Sequence, residues 1–167
     1  MLIPVFVSCP TTLSEEQQSS RELILKELKR LRLEPRALGR SDYPTEYPLR
    51  EVYVIAKHCS GGVVLGFDQF QTSSGISKPG TDKETIISSL VKFPTPWNNL
   101  EAGILFGLKI PLLVFKEDGV SGGVFDNGVT DAFVHVMPGN SMNRTEKRGL
   151  SDVFLKWQAK VREHYYQ

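Results

Sequence analysis

One stretch of this sequence, from Phe93 to Phe115, constrains the fold more than any other. It reads as a loop carrying Trp97, then a helix whose first turn contains Glu101, and then the apolar run from Ile110 to Phe115. A continuous apolar run of this length is typical of a strand buried on both faces of a parallel sheet. A carboxylate at the start of a helix, just outside such a sheet, stands where α/β proteins place their ligands. The stretch therefore predicts an α/β fold and a ligand site close to Glu101.

Strands and helices are predicted to alternate along the rest of the chain. The predicted strands cover residues 2–8, 33–38, 63–67, 110–115 and 132–136, and predicted helices begin at Ser14, at Pro48, just after Trp97 and at Ser151. Pro35 interrupts the second strand, which favours an edge position for it. Alternation with short turns predicts right-handed βαβ crossovers. We expect a flavodoxin-like three-layer sandwich with a five-stranded, mostly parallel sheet in the order 2-1-3-4-5.

The connection from Gln69 to Pro96 is the least regular part of the sequence. Thr81 and Glu84 could cap a short helix that ends near Leu90, whereas the β-branched run from Thr85 to Ile87 permits a strand. A connection this long is usually functional or mobile. We therefore predict a single domain over residues 1–167 with a long insertion at about 69–96.

Composition narrows the classes of function. A chain of 167 residues with 40% hydrophobic residues is long enough to bury a full core, and its formal net charge of +1 gives no reason to expect nucleic acid as a partner. No apolar stretch approaches the roughly 20 residues that span a bilayer, so no membrane partner is expected. The residues after Met1 lack the basic leader of a signal peptide, and the two cysteines show neither metal-ligand nor disulfide-scaffold spacing. We expect a cytoplasmic protein with reduced cysteines and no metal site.

The predicted strand order brings several loops to the edge of the sheet where Trp97 and Glu101 lie. The remaining candidate residues for substrate binding, taken from these loops, are Ser8, Cys9, Pro10, Arg40, Phe67, Asp68, Asn98 and Asn99. Most have simpler alternatives: Asn98 and Asn99 could cap the helix, and Asp68 could be an ordinary turn residue. Arg40 could pair with a phosphate or simply be exposed. Trp97 could stack on a base or fill part of the core.

Glu101 has two interpretations of its own. It could be a solvated carboxylate that stabilises the positive end of a helix dipole. It could instead stabilise an oxocarbenium ion, or attack the anomeric carbon of a ribosyl group.

Short motifs around Glu101 resemble two known families. The residues Trp97-Asn98-Asn99-Leu100-Glu101 resemble the W-x-x-x-E element of TIR (Toll/interleukin receptor homology) domains, and the opening strand Val5-Phe6-Val7-Ser8 resembles their V-F-[IV]-S. In enzymatic TIR domains the glutamate of that element is required to split the nicotinamide–ribose bond of NAD. The segment from Leu100 to Pro111 is also similar to nucleoside deoxyribosyltransferases, whose E-x-G-x-A element carries a nucleophilic glutamate. Both resemblances select Glu101.

The resemblance implies an enzyme that cleaves an N-glycosidic bond or transfers ADP-ribose, with NAD as substrate rather than cofactor. By family analogy it would serve antiphage defence or stress signalling, as a homo-oligomer or with a defence partner protein. Two alternatives stay open. One is a non-catalytic nucleotide-binding or TIR-type interaction module. The other is a nucleoside or nucleotide hydrolase, or a deoxyribosyltransferase.

Overall fold

From Ile3 to Gly66, and again from Pro96 to Lys116, strands and helices alternate as the sequence predicted, whereas four short strands follow one another between Phe70 and Phe93. The structure is a computed structural model that describes residues 1–39 and 47–167. The strands are β1 (Ile3–Ser8), β2 (Leu33–Arg36), β3 (Gly62–Gly66), β4 (Phe70–Thr72), β5 (Gly75–Ser77), β6 (Thr85–Ile87), β7 (Val91–Phe93), β8 (Leu112–Lys116) and β9 (Val134–Val136). The helices are α1 (Glu15–Arg30), α2 (Pro48–Lys57), α3 (Pro96–Gly107) and α4 (Arg144–Tyr165), and a 3₁₀ turn spans Gly123–Phe125.

Five strands form the central sheet, in the order β2-β1-β3-β8-β9. All four pairings are parallel. This is the flavodoxin-like order 2-1-3-4-5, and the predicted fold class is confirmed. The strand β2 lies at the sheet edge, as expected from Pro35, which has no N–H to donate to a second neighbour.

Two apolar layers cover the sheet. Side chains from α1 and α4 pack on one face, around Ile24, Leu28, Phe154 and Trp157. Side chains from α2 and α3 pack on the other face, around Val52 and Leu105 among others. Because side chains alternate along a strand, each central strand supplies both layers, which explains why β3 and β8 read as continuous apolar runs.

Helix starts follow capping chemistry. At α1, Ser14 and Gln17 form the predicted capping box, and Pro48 occupies the first turn of α2 as expected. The prediction that the last helix begins at Ser151 was wrong, because Asn143 and Glu146 form a second capping box that starts α4 at Arg144. Among the described residues, no helix combines the length and apolarity needed to cross a bilayer.

The long connection after β3 folds into a two-part β-ribbon, residues 70–93, which we call the ribbon. Its inner part pairs β4 with β7 and its outer part pairs β5 with β6, both antiparallel. Of the two alternatives for residues 81–90, the strand formed, since Thr85–Ile87 pairs with Gly75–Ser77. The base of the ribbon is held by Lys92, whose Nζ donates to the Asp118 carbonyl at 3.2 Å.

Candidate functional site

A cavity of about 410 Å³ lies at the carboxyl end of β1, on the face of the sheet covered by α2 and α3. Its walls are the β1–α1 loop (residues 9–12), Leu38 and Gly39 after β2, Pro48 at the start of α2, Gln69 after β3, and the first two turns of α3. Its volume lies within the usual range for small-molecule sites. Crevices at this edge of open α/β sheets are where ligands bind.

The start of α3 differs from the prediction. Thr95 is the N-cap, because its hydroxyl oxygen accepts the N–H of Asn98, and Pro96 and Trp97 already lie in the helix. Glu101 therefore lies in the second turn, and no acidic residue occupies the first. The interpretation of Glu101 as a helix-dipole carboxylate was wrong, as was the suggestion that Asn98 or Asn99 caps the helix.

The polar side chains of Thr95, Asn98 and Ser8 form a chain of hydrogen bonds beside Glu101. The Thr95 hydroxyl and Asn98 Oδ1 are 3.1 Å apart, and Asn98 Nδ2 donates to Ser8 Oγ at 2.9 Å. The nearby Ser8 hydroxyl acts to lower the pKa of the Glu101 carboxyl. Both Ser8 and Asn98 are buried, with exposed fractions of 0% and 1%. Burying an amide and a hydroxyl costs folding free energy unless both are hydrogen-bonded. This network supplies hydrogen-bond partners for the two buried groups.

The carboxyl group of Glu101 is only partly exposed to solvent. Burial raises its pKa from 4.5 to about 7, against the opposing effect of the nearby Ser8 hydroxyl, which favours the ionised form. A glutamate poised near neutral pH at the wall of a cavity is a signature of catalytic or ligand-binding sites. No lysine, arginine or histidine of the described part of the chain lines this cavity.

Trp97 also lines the cavity, four residues before Glu101 and so on the same side of the helix. The indole is 45% exposed, which separates it from the core aromatic residues. Cys9 and Pro10 also line the cavity, and the Cys9 Sγ lies 3.4 Å from the Pro10 carbonyl oxygen. The structure thus brings Cys9, Pro10, Trp97, Asn98 and Glu101 together, and Ser8 lies directly behind them.

The other predicted site residues lie elsewhere. Phe67 is fully buried in the layer beneath α1 and α4. Asn99 Oδ1 accepts the N–H of Val124 at 2.9 Å, so Asn99 anchors the 3₁₀ turn. Arg40 falls in the segment 40–46, outside the described residues.

Asp68 lines a second cavity instead. A tight turn follows β3, in which the Phe67 N–H donates to the Leu65 carbonyl at 3.1 Å. That turn breaks the alternation of side chains just past the end of β3.

Sequence reasoning did not single out the cavity residues Thr95 and Gln69. The signal for Thr95 was present, since a threonine followed by a proline is a common N-cap and first helical residue. No comparable signal marks Gln69, whose position depends on the turn that precedes it.

The second cavity, of about 760 Å³, lies on the α1 and α4 face of the sheet. Its lining includes the acidic residues Glu16, Asp68, Glu117, Asp118 and Glu146, and among the described residues the basic side chains Lys92 and His135. It is the larger cavity, but the acid with a pKa near neutrality lies in the smaller one. Within residues 1–39 and 47–167, no three histidine, cysteine or acidic side chains are grouped closely enough to hold a metal ion.

No protein-family model and no curated protein matches this sequence. Among solved structures, the chain is similar to the metal-soaked Flv1 flavodiiron core from Synechocystis sp. PCC6803, with a TM-score of 0.54 over 97% of this chain. The two sequences are 8% identical, and the match spans 36% of the flavodiiron chain. At that identity the likeness concerns the fold alone. The chain therefore has a flavodoxin-like fold.

Proposed function

We propose that this protein cleaves the N-glycosidic bond of a nucleotide, with NAD as substrate and Glu101 as the catalytic carboxylate. The observation that carries the proposal is the position of Glu101, a partly buried glutamate with a pKa near 7 at the wall of a cavity of suitable size. The resemblance of residues 97–101 to the W-x-x-x-E element supports the same choice. An ordinary surface glutamate would have neither the burial nor the neighbouring cavity.

Charge complementarity favours NAD over a neutral nucleoside. Among the described residues, the cavity presents the Glu101 carboxyl and no basic side chain. Burial disfavours the ionised form of Glu101 and so raises its pKa. The pyridinium ring of NAD brings a positive charge next to the bond that breaks, so binding would stabilise the ionised carboxylate. A neutral nucleoside would offer no such compensation.

The proposed reaction is dissociative. The C1′–N bond of the nicotinamide ribose breaks, its electron pair passes to the ring nitrogen, and neutral nicotinamide leaves. The positive charge then lies on the ribose as an oxocarbenium ion, which the Glu101 carboxylate stabilises electrostatically. Water adds at C1′ and loses a proton, giving ADP-ribose. Attack by an adenine nitrogen of the same molecule would give a cyclic product, and another acceptor would give a conjugate.

The other residues around the cavity would have binding roles. The half-exposed Trp97 offers a flat ring on which a base can stack. The hydroxyl group of Thr12 offers a hydrogen bond to a ribose or phosphate oxygen. By the resemblance to TIR domains, we further propose cytoplasmic NAD consumption in antiphage or stress signalling, with a homo-oligomer or a defence partner as the active assembly.

The test is to incubate the purified protein with NAD, ribonucleosides and deoxynucleosides and to separate the products chromatographically. We expect nicotinamide to appear from NAD, and Glu101→Gln to lower the rate a thousandfold or more, as expected for loss of a catalytic charge. Glutamine is nearly isosteric, so the circular dichroism spectrum should not change.

Three results would redirect the assignment. Turnover of deoxynucleosides but not NAD would indicate a hydrolase or deoxyribosyltransferase. Binding without turnover would indicate a nucleotide-binding or interaction module. Full turnover by a folded Glu101→Gln variant would exclude Glu101 as the catalytic residue.

A further inference from the structure

Ser8 and Asn98 are unusual among the groups near the candidate site, because they are polar, fully buried and bonded to each other. Ser8 ends β1 and follows Phe6 by two residues, so it points to the same face of the sheet as Phe6, toward α3. Asn98 lies three residues before Glu101, and so on the same side of the helix. The two elements therefore meet at a hydrogen bond of 2.9 Å between Asn98 Nδ2 and Ser8 Oγ.

The direction of the hydrogen bonds follows from the chemistry of the groups. An amide nitrogen only donates, so Ser8 Oγ is the acceptor from Asn98 and its proton remains free to be donated. Ser8 is fully buried, so its proton needs an acceptor inside the protein. We infer that this acceptor is the Glu101 carboxyl, which lies one turn after Asn98 and whose pKa Ser8 acts to lower. Asn98 is itself oriented, because its Oδ1 lies 3.1 Å from the Thr95 hydroxyl. This arrangement fixes which way the serine proton points.

We propose that Ser8 is a positioning residue for Glu101, oriented by Asn98 so that its hydroxyl donates to the carboxylate and holds that group against the cavity. Ser8 does not touch the substrate in this role. It restrains the rotation of the carboxyl group and favours its ionised form, while burial of the same group opposes ionisation. The binding role predicted for Ser8 and Asn98 from the sequence is replaced by a structural one that acts through Glu101.

No described charge competes with this effect. Besides Glu101, the described residues that line the cavity include Cys9 from the β1–α1 loop, Pro48 from α2, Gln69 after β3, and Trp97 and Asn98 from α3. None of the described lining residues other than Glu101 is an aspartate, glutamate, lysine, arginine or histidine. We expect a change in the titration of Glu101 on removal of Ser8 to come from the lost hydrogen bond.

The experiment is a direct titration of Glu101 without substrate. The protein is labelled with ¹³C at glutamate side-chain carboxyls, and the Glu101 signal is assigned by its loss in Glu101→Gln. We expect Ser8→Ala to raise the pKa of Glu101 by roughly one pH unit, a tenfold lower ratio of ionised to protonated carboxyl at fixed pH. The matched control is Ser60→Ala, which removes another buried serine hydroxyl, from the loop before β3, and should leave the Glu101 titration unchanged.

The role of Asn98 is tested by a double-mutant cycle with Ser8→Ala and Asn98→Leu. If Asn98 acts by orienting Ser8, Asn98→Leu raises the pKa of Glu101 in the wild-type background and changes it no further when Ser8 is already alanine. An equal change in both backgrounds would overturn the role assigned to Asn98. An unchanged Glu101 titration in Ser8→Ala would overturn the proposal as a whole. Should Asn98→Leu fail to fold, Asn98→Ala provides the same cycle.

Two further measurements distinguish the proposed effect of Ser8 on Glu101 from a purely structural role of Ser8 in packing. Ser8→Cys keeps a weak donor of similar size, so it should recover part of the Glu101 titration, whereas a packing defect would not be corrected. In turnover assays, Ser8→Ala should move the acid limb of kcat/KM to higher pH by the amount seen in the titration. Only this last measurement rests on the proposed function. A protein that leaves NAD intact could still show the hydrogen-bond coupling, so the two proposals fail independently.

Discussion

Trp97 contributes more to the cavity than to the core, since 45% of its surface is exposed. If it stacks on a base of the substrate, Trp97→Ala should raise KM by roughly 5- to 150-fold, the equivalent of about 1–3 kcal/mol. The melting temperature should change little. Steady-state kinetics alongside thermal melts measure both effects.

The matched control is the chain's other tryptophan. Trp157 is 4% exposed, and its indole N–H donates to the Pro111 carbonyl at 3.0 Å. Trp157→Ala should cost about 3–5 kcal/mol of stability, as deletion of a core aromatic usually does. A comparable loss of stability in Trp97→Ala, with an unchanged KM, would show that Trp97 is a packing residue.

At this scale, sequence reasoning located Glu101 but not its environment. The spacing of Trp97 and Glu101 is local, and a helix places such residues on one side whatever the rest of the fold does. The pairing of Asn98 with Ser8 joins residues 90 positions apart, and no local pattern contains it. The same limit explains why Asn98 and Asn99 were predicted as possible helix caps. The local sequence around Asn98 is compatible with a capping role and with a binding role alike.

The ribbon is the element most independent of the sheet. Among the residues that the structure describes, β5 and β6 pair only with each other, and the cross-strand pair Ile76 and Ile86 is exposed at 59% and 79%. A two-stranded ribbon without a packed face is only marginally stable in water. Replacing residues 74–89 with a two-residue Asn-Gly turn, which keeps the register of β4 with β7, should therefore leave the melting temperature nearly unchanged, while altering activity or oligomer size.

Hydrogen exchange tests the same point in the intact protein. The amides of β5 and β6 should exchange through local opening, far faster than those of β3 and β8, whose strands are covered on both faces. Strong protection of Gly75–Ser77, or a shortened variant that no longer folds, would show that the ribbon belongs to the cooperative core. Unchanged activity and oligomer size in the shortened variant would exclude a role as lid or assembly surface.

The starts of helices were predictable where capping side chains mark them in the sequence. The Ser14 and Gln17 capping box fixed the start of α1, and the same pattern at Asn143 and Glu146 starts α4, although it was overlooked. The sequence of residues 85–87 is compatible with both a helix and a strand. The outcome depended on a partner strand at Gly75–Ser77 that had no signal of its own.

For the molecule as a whole, the strand order was predictable because few arrangements satisfy right-handed crossovers and short connections. It was not possible to predict toward which face of the sheet the side chain of each loop residue would point. Asp68 and Gln69 are neighbours in the chain, yet they line different cavities on opposite faces of the sheet. A shift of one residue moves a side chain to the other face, so an uncertainty of one residue at a strand end is enough to misplace a site residue.

The candidate site also reduces the stability of the whole fold. Because the folded-state pKa of Glu101 is raised from 4.5 to about 7, the native protein binds more protons than the unfolded chain between these pH values. The free energy of unfolding therefore falls as pH rises through this window. The stability cost is absent below about pH 4.5 and complete above about pH 7.

The last prediction is that Glu101→Gln stabilises the protein at alkaline pH. Glutamine does not ionise, so the variant should gain roughly 2–3 kcal/mol over the wild type at pH 8, and the gain should shrink to a small constant near pH 4.5. His135, whose pKa burial lowers, destabilises both proteins equally on the acid side and cancels from the difference. Urea denaturation of both proteins from pH 4.5 to 8 measures this difference, with Glu163→Gln, the same change at an exposed position on α4, as the matched control. A difference for Glu101→Gln that is independent of pH would mean that Glu101 is solvated like a surface carboxylate, and the electrostatic basis of the proposed site would fail with it.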